Sequence, residues 1–268
     1  MPGAGGLTMT NWLYNVAPQD GTALAISRHQ VATEEALQSK GVQFQSAKYA
    51  WIGRMGALVE LSYVWHTSPT KTFEDARKRE TIMGGSGPSA PSIWYLNVLN
   101  ALAGTKFKAM SGYSGTNESH LAMERGELEG TTKSWASMKS TNMDLLTDKK
   151  INILLQYGLE KAPELQHIPR MADLGVTEND KKALAFIVMQ NGIGRSIHGT
   201  PNIPPDRKAA LRKAVENMMK DPELLAEAQK QNLDVGPWLS GDALDKIVQQ
   251  TLESSPDVIK LAKDARGD

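Results

Sequence analysis

The chain has 268 residues, 40% hydrophobic and 22% charged, the composition of ordinary globular domains and long enough for one large domain or two lobes. Its 30 basic residues balance 30 acidic ones, and no basic run is interleaved with aromatics, which argues against nucleic acid as a partner. There is no cysteine, so disulfides and thiolate metal sites are excluded, and apolar runs such as 183–189 fall far short of the ~18 residues of a membrane span.

Residues 1–6, Met-Pro-Gly-Ala-Gly-Gly, have neither the charged nor the apolar region of a secretion signal. They read as an interior turn, so the chain is expected to begin partway into a longer fold. Apolar spacing predicts a helix over 7–17, stopped by Pro18-Gln19-Asp20-Gly21, and a strand over 22–27. Residues 30–50 carry no decisive pattern. Extended segments follow at 49–56 and 58–65, then a crossing segment opened by Ser68-Pro69 and a short helix over 72–79.

From residue 80 strands and helices alternate: strand 81–83, helix 91–103, strand 107–110, helix 117–125, strand 128–129, helix 135–147 and strand 151–157. This rhythm predicts parallel strands with helices on both faces, and ligands at the carboxyl ends of the strands. The last third is helical. One helix starts at Pro205-Asp206 with Ala210, Leu211, Ala214, Val215 and Met218 on one side, another spans 241–252, and Asp221-Pro222 and Ser255-Pro256 read as capped starts.

The richest candidate for chemistry is the loop 84–92, Gly-Gly-Ser-Gly-Pro-Ser-Ala-Pro-Ser, which joins a strand to an apolar helix. Free backbone N–H groups can converge there on an anion, with Pro91 suited to the first helical turn. No Lys or Arg lies between Glu80 and Lys106, so amide dipoles and the hydroxyls of Ser86, Ser89 and Ser92 would hold the charge, which suits a releasable carboxylate. The same residues also fit a plain turn before a capped helix. Ser114, Gly115 and Thr116 stand between the next strand and helix and could face the same cleft, or Thr116 or Asn117 could simply cap that helix. Trp135 could lie beside a ligand or pack in the core.

Other motifs carry less. Gly112-Tyr113-Ser114-Gly115-Thr116 has threonine where a nucleophile elbow needs glycine. The five histidines are scattered, and His120 with Glu124 reads as a solvated helix pair, so no metal is assigned. No phosphate loop is present, and no cofactor is assigned. The charged run 124–130 reads as solvated surface, and Asn97 and Asn100 as the exposed side of their helix.

The residues 2–6, Ala17-Pro18-Gln19-Asp20-Gly21-Thr22, the 84–92 loop, the run 121–130 and Asn202-Ile203-Pro204-Pro205-Asp206-Arg207 together form an ordered set over essentially the whole chain. In that set the chain resembles the periplasmic solute-binding proteins of tripartite tricarboxylate transporters, the Bug or TctC-like receptors. The resemblance implies an α/β, two-lobed periplasmic binding protein of type II-like form, with doubly wound sheets joined by crossing segments and closing on a ligand by a hinge. Its lobes would be 1–68 plus 190–268, and 69–189. It further implies a periplasmic, monomeric receptor, not an enzyme, that gives a small organic carboxylate to the transporter's membrane subunits. The ligand residues would be Gly85, Ser86, Gly87, Ser89, Ser92, Ser114, Gly115, Thr116 and Trp135. Members of that family carry a further strand, ligand loop, helix and strand ahead of the Pro-Gly-Ala-Gly-Gly turn, so the first lobe is expected to be incomplete here. A receptor that docks on a signalling protein would use the same lobes. The competing reading is an α/β hydrolase or transferase using Ser86 or Ser114, which needs a histidine within hydrogen-bond reach and a group to orient it.

Overall fold

A computed structural model describes residues 6–86, 90–113, 115–231, 233 and 235–267. The chain divides into two compact units, Met1–Leu58 with Met189–Ser255, and Val59–Val188 with Pro256–Asp268. The segments 59–68 and 256–268, expected in the first lobe, therefore lie in the second unit.

The first unit begins with α1 (Leu7–Asn15), β1 (Leu24–Ile26), α2 (Val31–Ala36) and β2 (Ala50–Arg54). The undecided stretch 30–50 thus holds a short helix and, at Ser46–Lys48, a single 3-10 turn. Strand β2 is buried on both faces, and its alternation sorts two cores. Tyr49 and Trp51 pack with Leu13, Val31, Leu244 and Val248, while Ala50 and Ile52 pack with Ile203, Val215 and Met219.

The second unit runs β3 (Glu60–Trp65), α3 (Phe73–Lys78), β4 (Thr81–Gly85), α4 (Pro91–Ala103), β5 (Phe107–Ser111), α5 (Thr116–Glu124), β6 (Gly130–Ser134), α6 (Trp135–Thr141), α7 (Met143–Thr147) and β7 (Ile151–Tyr157). Its sheet has the order β5-β4-β6-β3-β7. β4 is parallel to β5 and β6, but β3 is antiparallel to both β6 and β7, so the sheet is mixed where an all-parallel one was expected. Leu61, Tyr63 and Trp65 on one face of β3 pack with Ala122, Met123, Leu128, Trp135 and Met138. Alternation puts Glu60, Ser62 and Val64 on the opposite face.

The strand expected at 128–129 lies instead at Gly130–Ser134, because Leu128 turns its side chain into the core. The helix expected over 135–147 is two, broken at Asn142, whose extended φ of −144° leaves the helical region. The buried Lys133 ammonium holds that corner, donating to Thr141 Oγ1 at 2.9 Å and to Asn142 Oδ1. Asn100 does not simply face solvent. Its amide donates to the Phe107 carbonyl at 2.8 Å and accepts from the Phe107 N–H at 2.8 Å and Thr105 Oγ1 at 2.7 Å, stapling α4 to β5.

Helix α8 (Glu178–Ile193) leads back into the first unit, which continues with β8 (Ser196–Gly199), α9 (Pro205–Met218), α10 (Pro222–Lys230), β9 (Leu239–Ser240) and α11 (Gly241–Leu252). The sheet order is β1-β8-β2-β9, all antiparallel. On α9, Leu211, Val215 and Met218 meet the core, whereas Ala210 and Ala214 are exposed, a narrower apolar face than the periodicity predicts. The last helix, α12 (Pro256–Arg266), packs on α4, with the Arg266 guanidinium 5.2 Å from the Trp94 ring centre.

Candidate functional site

In the second unit, two parallel strands end side by side. Gly85 closes β4 in register with Ser111 on β5, and the Gly112 and Tyr113 N–H groups both donate to the Gly85 carbonyl, at 3.2 and 3.4 Å. The two loops expected to share a site therefore start from one point, at the carboxyl end of the sheet where such folds bind solutes.

Gly84 and Gly85 are needed for packing as well as for an amide cradle. A Cβ at Gly84 would run into the Leu128 side chain on one face, and a Cβ at Gly85 would lie 2.6 Å from Ile93 Cδ1 and 2.7 Å from Ser92 Oγ on the other. Without side chains here, α4 can settle its first turn directly on the strand end. Among the described residues, no side chain caps α4 or α5, whereas Thr72 and Ser134 cap α3 and α6 of the same unit. The first turn of α4 also carries no acid, while that of α5 carries Glu118. Among the described residues the positive end of the backbone dipole is thus uncapped at α4 and partly offset by Glu118 at α5, which makes α4 the better partner for an anion.

Of the expected ligand residues, Gly85 is buried at the end of β4, Ser86 is exposed just beyond it, and Ser92 is half-buried in the first turn of α4. Gly115 is exposed at the start of α5, and Thr116 is the first residue of that helix. Gly87, Ser89 and Ser114 lie outside the described residues. Trp135 belongs to the core: it is only 4% exposed, its indole N–H donates to Glu164 Oε2 at 3.3 Å, and the Lys139 ammonium stands 5.5 Å from the ring centre.

His120 and His198 have partners other than the candidate serines. His120 is buried, not solvated, and its Nε2 meets the Tyr63 hydroxyl at 2.5 Å. Burial, with the nearby Lys133 charge, holds its pKa below the ordinary histidine value. His198 Nε2 lies 3.1 Å from Ser27 Oγ, but the ring is buried between Tyr49 and Trp51 and its Nδ1 has no partner among the described residues, so none of them orients the pair as a nucleophilic dyad requires. Among the described residues, no histidine is hydrogen-bonded to Ser86, and no three His, Asp or Glu residues are grouped as metal ligands would be.

A second polar group shares the carboxyl end of this sheet and was not anticipated. Ser62 Oγ is 3.0 Å from Thr132 Oγ1 and 2.7 Å from the Tyr157 hydroxyl, and the Tyr157 ring stacks on Tyr95 of α4 with centres 4.4 Å apart. Glu60, next on the same face of β3, is in register with Ser134 and Tyr157. The available sequence signal was two polar residues, 60 and 62, on one face of an otherwise apolar strand.

No protein-family model matches the sequence, and no curated protein matches it. Solved structures do. A TctC solute-binding protein from Polaromonas superposes with a TM-score of 0.69 at 16% identity, over 98% of this chain and 84% of that one. MatC from Rhodopseudomonas palustris, solved with bound malate, gives 0.64 at 16% identity over 97% and 86%. A further R. palustris protein, solved with adipate, gives 0.64 at 16% identity over 97% and 84%. The fold is therefore that of a two-domain α/β solute-binding protein. More narrowly, it is the fold of the TctC and Bug periplasmic binding proteins.

Proposed function

We propose that this protein is an extracytoplasmic receptor that captures an organic carboxylate and delivers it to the membrane subunits of a tripartite tricarboxylate transporter, with no covalent chemistry on the ligand. The observation that carries this reading is the joined pair of loops at Gly85 and Gly112, with an α4 start that, among the described residues, has no side-chain cap and no acid in its first turn. Two proteins of the same fold were solved with malate and with adipate, both small carboxylates. Backbone amides of the 84–92 loop, with the hydroxyls of Ser86, Ser89 and Ser92, would take one carboxylate, and Ser114, Gly115 and Thr116 would border it. The receptor would act as a monomer in the periplasm, and its two lobes would correspond to the two units.

Titration calorimetry against mono-, di- and tricarboxylates tests this. Saturable one-to-one binding of at least one carboxylate is expected. Ser86→Ala and Ser89→Ala should each cost about 1.5–3 kcal/mol in affinity, the worth of a hydrogen bond to a charged group. No binding across the panel, or turnover of a bound compound, overturns the reading, and unchanged affinity in both variants moves the site elsewhere.

A further inference from the structure

Glu60 opens β3 at the end of the sheet where β4 and β5 give way to the candidate loops. Its Oε2 is buried and has no hydrogen-bond partner among the described residues, although the residue as a whole is partly exposed. The neighbouring hydroxyls are already committed. Ser62 bonds Thr132 and Tyr157, and Ser134 Oγ accepts from the Ser137 N–H at 3.2 Å while donating to Ser137 Oγ at 2.8 Å. The titratable group beside Glu60 on β7 is Tyr157, whose hydroxyl is itself pushed up by burial and held neutral. On β6 the neighbour in register is Ser134, and Lys133 projects to the opposite face of that strand. Burial alone pushes the Glu60 carboxyl up to about 7, from the ordinary 4.5.

We propose that Glu60 is a specificity residue of the carboxylate site: as a neutral acid it donates its O–H to the second carboxylate of a dicarboxylate ligand whose first carboxylate is held at the loop after β4. This rests on the carboxylate-receptor reading above. β4 and β3 are two strand spacings apart, about 10 Å, which suits the two ends of a short dicarboxylate better than a monocarboxylate. Two carboxyl groups within hydrogen-bond reach hold one proton between them, because both cannot be charged at that separation. The ligand's arrival therefore strengthens the hold of Glu60 on its proton. Below pH about 7 that proton is already present, and above it each binding event takes one proton from the buffer onto Glu60.

Calorimetry with malate and adipate, at pH 6, 7 and 8 and in buffers of different ionisation heat, reads both affinity and proton uptake. For the wild type, uptake should approach one proton per ligand at pH 8, and affinity should fall roughly tenfold per pH unit above 7, the limit for one linked proton. Glu60→Gln, which keeps a donor but cannot ionise, should hold its pH 6 affinity throughout and take up none. Equal pH responses in the wild type and Glu60→Gln overturn this inference and leave the receptor reading intact. A carboxyl NMR titration of Glu60 in the free protein gives a ligand-independent check: a midpoint near 4.5 also overturns the inference. If the wild type binds no member of the carboxylate panel, the receptor reading fails, and the inference with it.

Discussion

At Gly130 a methyl group would run into the Tyr63 carbonyl oxygen and lie 2.7 Å from the Met83 sulfur, so the central strand can enter the sheet only with glycine there. Gly130→Ala should destabilise the protein by about 1–3 kcal/mol, the usual cost of overpacking, read as a lower denaturant midpoint. Tyr63→Phe would leave the buried His120 nitrogen without its 2.5 Å partner and should cost about 1–3 kcal/mol. The glycine and serine loop was legible because glycine spacing and missing cations are local features of sequence. Glu60, Ser62 and Tyr157 were not, because what matters about them is a set of neighbours brought together from strands nearly 100 residues apart. His120 was misread for the same reason: Glu124, four residues on, was visible, and Tyr63 was not.

Among the elements, α3 starts with a reciprocal cap: the Thr72 hydroxyl accepts from the Asp75 N–H, and the Asp75 carboxylate accepts from the Thr72 N–H at 3.0 Å. Thr72→Ala should cost about 1 kcal/mol in thermal or denaturant unfolding. The charged run 124–130, expected to be solvated, contains a clamp. Glu129 accepts from Arg79 at 2.6 and 3.2 Å, from Ser68 Oγ at 2.6 Å and from the Ile82 N–H at 3.2 Å, tying the starts of β4 and β6 together. Burial would raise its pKa, but these bonds outweigh burial and hold it below the ordinary value of 4.5. Its contribution is complete above 4.5 and fades as pH falls through the lowered value, and Glu129→Gln should remove that pH dependence. Most helix and strand positions from 50 to 157 followed the hydrophobic period, apart from the strand at 130–134 and the helix break at Asn142, but the direction of β3 did not. Period two fixes which face a residue takes, and pairing partners decide which way the strand runs.

Across the whole molecule, both units should lose stability in acid, and the second should carry an added, opposite response from Glu60. In the first unit, burial lowers His198 to about 4, and burial together with Arg28 lowers His29 to about 4, against 6.5 in an unfolded chain. The unfolded state then binds protons that the native state refuses, so stability is full above 6.5 and declines as pH falls toward 4. In the second unit the raised Glu60 works the other way, with its contribution full below 4.5 and lost as pH rises through about 7. Amide exchange followed by region should show both units loosening in acid, and Glu60→Gln should remove only the loss that the second unit shows as pH rises toward 7. The two-unit organisation was legible from the ordered motifs, but its boundaries were not. Residues 59–68 and 256–268 are assigned by strand pairing and helix packing, which hydropathy does not record.

The Gly85 carbonyl accepts from two successive amides of the next loop, and this yokes the roots of both loops. Conformational entropy that a solute would otherwise remove from each root separately has already been surrendered during folding. On the receptor reading proposed above, a bound carboxylate would then not have to order these two roots, which would favour quick capture and easy release.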